Sequence, residues 1–184
     1  KESIKKGATK AVIEKRIKGL PVNKIIKVKK TFSSLNNLAK VTRENTSAKI
    51  IGITGSVGKT TLKENLKYFI SQTSIVSASV KSYNNYLGVL ISIININLSS
   101  SFAILEIGTN NFEEIKNLTS IIMPSQAIIT NISPTHLENF QNTRNIVIEK
   151  SDIFNLRYNP NIDLLILSQN NADEIYIANL ALKE

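Results

Sequence analysis

The sequence predicts an α/β protein: a parallel sheet of the phosphate-loop type, flanked by helices and preceded by a small α/β segment. Short apolar, β-branched segments alternate with helical ones, as in parallel sheets. The apolar segments lack polar alternation, which is typical of strands buried on both faces. A glycine-rich turn directly follows the first of them, at residues 55–58. Ligands of such sheets bind at the carboxyl ends of the strands, so residues that follow strands are the candidates for function.

The first quarter of the chain predicts the small α/β segment. Two short strands are expected, followed by a helix that Thr31 caps. This helix should end at the polar stretch Asn45-Thr46-Ser47, which is typical of a linker. We therefore divide the chain into residues 1–45 and a larger domain, residues 46–184. The two strands are predicted at residues 10–14 and 24–28.

The larger domain predicts strictly alternating strands and helices. Each strand is a short apolar segment, and each helix has apolar residues at helical spacing. The predicted strands cover residues 50–54, 75–79, 102–105, 127–130 and 163–167. The predicted helices cover residues 59–70, 87–94, 112–120, 143–156 and 172–182.

A phosphate-binding loop is predicted between the first buried strand and its helix. Its sequence is Gly55-Ser56-Val57-Gly58-Lys59-Thr60-Thr61. Glycines allow backbone amides to approach phosphate oxygens, and the helix N-terminus adds partial positive charge. Lys59 can reach the outer phosphates, and the Thr60 hydroxyl can ligate magnesium. We therefore expect ATP with Mg2+.

The match to the general phosphate-loop pattern has one exception. Ile53 stands where the first glycine of that pattern is expected. A chance Gly-Lys-Thr in an ordinary loop is the alternative. A strand before the loop and a helix after it favour the phosphate-binding interpretation.

Two further candidates follow the other strands. Glu106 comes directly after the strand at residues 102–105, where a carboxylate would lie beside the phosphate loop and could hold magnesium. His136, the single histidine, follows the strand at residues 127–130. It can be a structural residue or a metal or substrate ligand, and the sequence leaves both open.

Asn84, Asn85 and Lys150 are ambiguous by sequence alone. Adjacent asparagines can hydrogen-bond a substrate, but they can equally form a turn. A lysine on a helix is normally a solvated charge, and spacing does not distinguish Lys150 from others. Their assignment depends on further information.

The composition excludes several classes of protein. The chain has no cysteine, which excludes disulfides and cysteine-based metal sites. No stretch approaches the roughly 18 uninterrupted apolar residues of a membrane helix, and no apolar signal segment follows Lys5-Lys6. We therefore expect a cytoplasmic protein without membrane insertion.

The charge distribution argues against nucleic acid as a partner. The net charge is +9, but residues 1–50 hold 14 basic and 3 acidic residues, so the remainder is slightly acidic. The positive charge thus precedes the phosphate loop, and Phe32 is the one aromatic residue before Tyr68. We expect no nucleic-acid binding, although a basic arm is the alternative.

Taken together, the candidate segments resemble the ATP-dependent Mur ligases of peptidoglycan synthesis. The phosphate loop marks the wider family. The Asn84-Asn85 segment favours the members that add D-alanyl-D-alanine (D-Ala-D-Ala) to the UDP-MurNAc-tripeptide. Residues 1–45 resemble the tail of that family's N-terminal, UDP-binding domain. The matching segments are residues 52–61, 82–89, 106–110, 136–138 and 149–154.

The resemblance implies a reaction and its cofactors, ATP and Mg2+. The tripeptide carboxylate attacks the γ-phosphate of ATP, and the amine of D-Ala-D-Ala takes the resulting acyl phosphate to form an amide. Cations must neutralise the two anions that meet in the first step. Lys59, His136 and Lys150 are implied to be catalytic.

The resemblance also implies which residues bind each ligand. Lys59 and Thr60 would hold the phosphates and a first magnesium. Glu106 and His136 match the positions that hold a second. Lys150 matches a lysine that the family carbamylates, which requires a neutral amine and creates a further metal ligand. The last pair, Asn84 and Asn85, matches a segment near the substrate.

The sequence departs from the family pattern in several places. Asn111 stands where histidine is usual, Glu113 where glycine is usual, and Glu149 where a small residue is usual. Residues 168–171 replace a segment with an Asn and an acidic residue. Parts of the family's three domains have no counterpart here. We expect a partial chain that binds nucleotide, with a separate chain as one source of the missing domains.

Three alternatives remain open. A related ligase, such as MurE or folylpolyglutamate synthetase, is disfavoured by the Asn84-Asn85 segment. A non-enzymatic nucleotide-binding module would fit the partial coverage. A nucleic-acid-binding phosphate-loop protein would depend on the basic first quarter alone.

Overall fold

The computed structural model describes residues 1–160 and 162–168. The chain divides into two compact units, Lys1–Leu38 and a second that starts at Ala39. The predicted domain boundary at residue 45, and the identity given to each domain, stay predictions. The helix predicted at residues 172–182 lies outside the described residues.

The first unit contains the two short strands that were predicted, and the structure shows that they pair in parallel. Ala11 pairs with Ile25, and Ile13 pairs with Lys27. A short first helix and a 3-10 turn were not predicted. The elements in order are α1 (Glu2–Lys5), β1 (Ala11–Ile13), the 3-10 turn Val22–Lys24, β2 (Ile25–Lys27) and the beginning of α2 (Thr31–Asn45).

The start of α2 corrects one prediction. Thr31 is the first residue of the helix and does not cap it. Its backbone amide and its hydroxyl both donate to Oε1 of Glu14, at 2.7 and 2.8 Å. These hydrogen bonds lower the pKa of Glu14. The helix is therefore capped by a carboxylate that lies 17 residues earlier, which a local sequence pattern does not reveal.

The second unit confirms the predicted parallel sheet. Its strands are β3 (Lys49–Thr54), β4 (Val76–Ala78), β5 (Phe102–Glu106), β6 (Gln126–Ile129) and β7 (Leu164–Leu167). Every neighbouring pair is parallel, and the order across the described sheet is β4-β5-β3-β6-β7. Because β3 lies between β5 and β6, the segments that follow these three strands meet at one edge of the sheet.

Helices connect the strands close to the predicted positions. The helix after the phosphate loop begins at Lys59 as expected, and the last described helix is shorter than predicted because a 3-10 turn, Asp152–Phe154, follows it. A four-residue helix after His136 was not predicted. The helices are α3 (Lys59–Ile70), α4 (Tyr86–Ile94), α5 (Glu114–Ile122), α6 (Leu137–Phe140) and α7 (Thr143–Ser151).

Strand β3 is buried on both faces, as its apolar sequence predicts. Ile51 and Ile53 belong to a cluster against which Leu62 of α3 packs. Gly52 lies on the other face, where an added Cβ would be 3.3 Å from Ile153. None of the described helices is long and apolar enough to cross a membrane.

Candidate active site

The phosphate loop forms a sharp turn between β3 and α3. Gly55 and Gly58 have φ angles of 143° and 84°, conformations that side chains other than hydrogen disfavour. Helix α3 begins at Lys59, and no described side chain caps it. The Lys59 amine donates to the carbonyl of Gly55 at 2.6 Å. The loop therefore presents a helix N-terminus and a folded-back ammonium together, which suits an anion.

The segment after β6 supports the phosphate loop through hydrogen bonds. The amides of Ser56 and Val57 donate to the backbone and side-chain oxygens of Asn131, both at 2.9 Å. The Thr130 hydroxyl donates to the carbonyl of Val57 at 2.6 Å. An added Cβ at Gly55 would lie 2.0 Å from the Thr130 hydroxyl. Glycine is thus required at residue 55 by both backbone conformation and contact.

Glu106 lies at the end of β5, beside the phosphate loop. Its side chain is 1% exposed, and both of its oxygens accept hydrogen bonds. Oε2 accepts from the Thr60 hydroxyl, and Oε1 accepts from the Asn84 amide, each at 2.8 Å. A carboxylate next to a hydroxyl fits the oxygen ligands that magnesium prefers.

The two asparagines have different contacts. Asn84 donates to Glu106 and accepts from the Gly108 amide through its backbone carbonyl at 2.7 Å. Asn85 caps α4, because its side-chain oxygen accepts from the Gly88 amide at 2.8 Å. The side chain of Asn85 thus caps a helix, and both asparagines also line the cavity described next.

An open cavity of about 100 Å³ brings most of the candidate residues together. Lys59 and Asn84 line both this cavity and a neighbouring one that contains Thr60 and Glu106. The residues of the first cavity that the sequence predicted are Gly55, Ser56, Lys59, Asn84, Asn85, His136 and Lys150.

His136 lies at the rim of this cavity. It precedes α6 and has a φ of 54°. Its side chain is 47% exposed, and Nδ1 lies 3.6 Å from Oε1 of Glu138. Among the residues that the structure describes, no three His, Cys, Asp or Glu side chains cluster around a possible metal position. A cation near His136 would therefore need other ligands as well, such as phosphate oxygens.

Burial lowers the pKa of both lysines in the cavity. Lys150 is 4% exposed; its burial and the nearby Lys59 ammonium lower its pKa to about 8, against the opposing effect of Glu149. Burial lowers the pKa of Lys59, and the Glu106 carboxylate opposes this. An appreciable fraction of Lys150 is thus a neutral amine near neutral pH.

Lys63 and Glu149 are two further residues of the site that were not predicted from the sequence patterns. Lys63 is fully buried under Glu106, with its amine 4.0 Å from Oε2. The Glu149 carboxylate accepts from the amides of Glu113 and Ile115, at 2.7 and 2.8 Å, and so holds the start of α5. Burial raises the pKa of Glu149. Lys63 precedes Leu66 and Ile70 by three and seven residues, and this helical spacing from two apolar residues of α3 was the signal in the sequence.

One family description matches most of the chain: the Mur ligase middle domain, over residues 53–183. The UDP-N-acetylmuramoyl-tripeptide--D-alanyl-D-alanine ligase of Rickettsia prowazekii is 41% identical over 92% of this chain and 38% of that protein. A crystal structure of MurF from Acinetobacter baumannii aligns with a TM-score of 0.84 and 29% identity, over 98% of this chain and 39% of that one.

A more distant structure supports the fold alone. MurF ligase from Thermotoga maritima, solved in complex with ADP, aligns with a TM-score of 0.80 at 24% identity, over 99% of this chain and 41% of that one. The present chain thus spans about two fifths of the length of these relatives.

Proposed function

The chain belongs to the Mur ligase family, and we propose that it is the nucleotide-binding part of an ATP-dependent ligase that adds D-Ala-D-Ala to UDP-MurNAc-tripeptide. This substrate pair is the one named for the Rickettsia relative. We place the reaction in the cytoplasm, where ATP is available. The chain covers 38% of the length of that relative, so we propose the complete ligase reaction for the protein together with the domains that the other 62% of the relative contains.

One observation carries the proposal most directly. The Thr60 hydroxyl, at the phosphate-binding end of α3, contacts the carboxylate of Glu106, which also contacts Asn84. A phosphate site, a cation site and a polar substrate segment therefore share one buried carboxylate. This combination is what transfer of a phosphoryl group to a carboxylate requires, since two anions must approach each other.

The residues around the start of α3 would bind the phosphates and Mg2+. The first-turn amides of α3 and the Lys59 ammonium would bind the phosphates of ATP. The loop from Gly55 to Thr61 would wrap them. The Thr60 hydroxyl and the Glu106 carboxylate would hold Mg2+, which neutralises phosphate charge when bound. These residues fit the group because the helix end lacks a side-chain cap and the oxygens are already adjacent.

His136 and Lys150 would act on the substrate side of the cavity. His136 would hold a second Mg2+ together with Glu106. The lowered pKa of Lys150 provides the neutral amine that carbamylation needs. Asn84 and Asn85 would orient the tripeptide carboxylate toward the γ-phosphate. Attack of the tripeptide carboxylate on the γ-phosphate would release ADP and form an acyl phosphate. The amine of D-Ala-D-Ala would then displace phosphate from the acyl phosphate to form the amide.

Titration calorimetry of the 184-residue chain tests the nucleotide site. We expect ADP to bind more tightly with Mg2+ than without, and Lys59→Met to weaken binding about tenfold or more, because a charge-assisted contact is lost. Lys67→Met, one of the exposed positions of α3, is the matched control. A folded chain that does not bind ADP would contradict the proposal.

A second assay separates a ligase from a nucleotide-binding module. Phosphate release is measured with ATP, UDP-MurNAc-tripeptide and D-Ala-D-Ala, and then with single amino acids in place of the dipeptide. Release that requires D-Ala-D-Ala supports the ligase proposal. ADP binding without release, both for the chain alone and with the remaining domains added as a separate polypeptide, favours the module.

A further inference from the structure

Lys63 is a buried ammonium with a full set of partners. It lies one turn after Lys59 in α3, and its side chain has no exposed surface. Its amine donates to the carbonyls of Ser79, at 2.9 Å, and Lys81, and it lies 3.0 Å from a Glu64 carboxylate oxygen. A buried ammonium is costly unless its three N–H groups find acceptors, and here all three do.

The two carbonyls belong to the base of the asparagine loop, which we define as residues 79–85. Lys81 has a φ of 52°, a left-handed conformation that is unfavourable for a lysine. Such a conformation persists where surrounding contacts fix it. The hydrogen bond from Lys63 to the Lys81 carbonyl supplies such a contact. The amine therefore holds the loop in a conformation that its own sequence disfavours.

The same ammonium connects the loop to the candidate cation site. Its nitrogen is 4.0 Å from Oε2 of Glu106, the oxygen that accepts from Thr60. The Glu106 amide in turn donates to the Ser79 hydroxyl at 3.2 Å. Because Thr60 and Lys63 lie on one helix, these contacts join the start of α3 to the base of the asparagine loop.

We propose that Lys63 is a positioning residue that fixes the asparagine loop against the phosphate-binding end of α3. Lys63 lines neither of the two cavities, so it acts through Glu106 and the loop. Lys63 thereby aligns the nucleotide and the carboxylate substrate with each other, and the identity of these two ligands rests on the proposed function. The contact between α3 and the asparagine loop does not depend on the proposed function.

Hydrogen exchange of the ligand-free 184-residue chain tests the contact. In Lys63→Met, the amides of residues 80–87 should exchange about tenfold faster or more, because two charge-assisted hydrogen bonds are lost. Lys67→Met makes the same change at an exposed position one turn later and should leave this exchange unchanged. Exchange in Lys63→Met within about twofold of the original chain would overturn the proposal.

Chemical rescue separates the ammonium from packing. The chain has no cysteine, so the thiol of Lys63→Cys can be alkylated selectively in denaturant and the protein then refolded. Bromoethylamine restores an ammonium of nearly the original length, and bromoethane gives a neutral counterpart. Slow loop exchange should return with the first reagent only. If Lys63→Met does not fold, the aminoethyl and ethyl forms of Lys63→Cys still test whether the ammonium fixes the loop. The proposal fails if the aminoethyl protein refolds with fast loop exchange, or if only the ethyl protein refolds.

Adding Mg-ADP completes the experiment. In the original chain it should slow exchange both in the first turn of α3 and in the asparagine loop. In Lys63→Met it should slow exchange in α3 alone, and slowing of both segments would overturn the alignment role. If the original chain does not bind Mg-ADP, the proposed function fails, whereas the ligand-free comparison still decides whether Lys63 fixes the loop.

Discussion

The hydroxyl of Thr60 donates to Oε2 of Glu106 at 2.8 Å, although 46 residues separate them in the chain. Thr60 lies at the start of α3, and Glu106 lies at the end of β5. The parallel order of β3 and β5 places both ends at the same edge of the sheet. A hydroxyl and a carboxylate are thereby adjacent before any ligand arrives, which lowers the reorganisation that binding a cation needs.

Glu106→Gln should remove the magnesium-dependent part of ADP affinity. The neutral amide offers one acceptor oxygen in place of two, so Thr60 and Asn84 both lose their charged acceptor, at a cost in stability of about 1–3 kcal/mol. Titration calorimetry with and without Mg2+ measures the binding effect. Glu44→Gln, at an exposed position, is the control. If Mg2+ raises the ADP affinity of Glu106→Gln as much as that of the original chain, Glu106 is not a ligand of the cation.

Alanine should be tolerated less at Gly55 than at Gly58. Both have positive φ angles, for which a side chain costs about 1–2 kcal/mol. At Gly55 the added Cβ would also meet the Thr130 hydroxyl at 2.0 Å, whereas at Gly58 the nearest atom is 3.9 Å away. Urea unfolding followed by circular dichroism compares the two. Equal losses of stability would mean that the contact with Thr130 relaxes without cost.

Lys150→Met should stabilise the fold at pH 7 by up to about 3 kcal/mol, because it removes a buried charge. The folded-state pKa of about 8 lies below the usual 10.5. Between these values the unfolded chain binds more protons, so the original chain gains stability as the pH rises. The advantage of the variant should therefore shrink from pH 7 to pH 10.

Urea unfolding at pH 7, 8.5 and 10 measures this convergence. Lys67→Met, which alters an exposed lysine, should keep a constant difference from the original chain over the same range. An Lys150→Met advantage that does not change with pH would show that the Lys150 amine titrates like an exposed lysine.

Asn85→Ala should cost about 1 kcal/mol of stability, and Asn85→Asp should cost little. The side-chain oxygen of Asn85 accepts from the Gly88 amide at the start of α4, and aspartate keeps that oxygen. Thermal unfolding of both variants measures the difference. If the two variants lose equal stability, the cap at α4 is not what Asn85 contributes.

The strands of the sheet were predictable because their signal is local. An unbroken apolar segment such as Ile50-Ile51 marks a strand buried on both faces, whatever its partners are. The start of α3 at Lys59 followed from the glycines before it. Glu113 shows how a local departure acquires meaning: it stands where the family usually has glycine, and its φ is 65°, a conformation that glycine adopts without strain.

The buried charges were not predictable in the same way. Lys63 and Glu149 are charged residues in helices, where solvent exposure is the usual expectation. Their burial depends on acceptors and donors from the segment after β4, from the end of β5 and from α5, which only the folded chain assembles. Lys150 was identified through family resemblance, and its 4% exposure then distinguishes it from an ordinary surface lysine.

The support of the phosphate loop by Asn131 has a consequence for synthesis of the chain. The ribosome releases residues 55–61 long before residue 131, so the emerging loop lacks the partners of its Ser56 and Val57 amides. The loop gains these two hydrogen bonds only when β6 joins the sheet, so we expect nucleotide to bind only after that step of folding. The newly synthesised chain would thus have to reach its native topology without help from bound nucleotide.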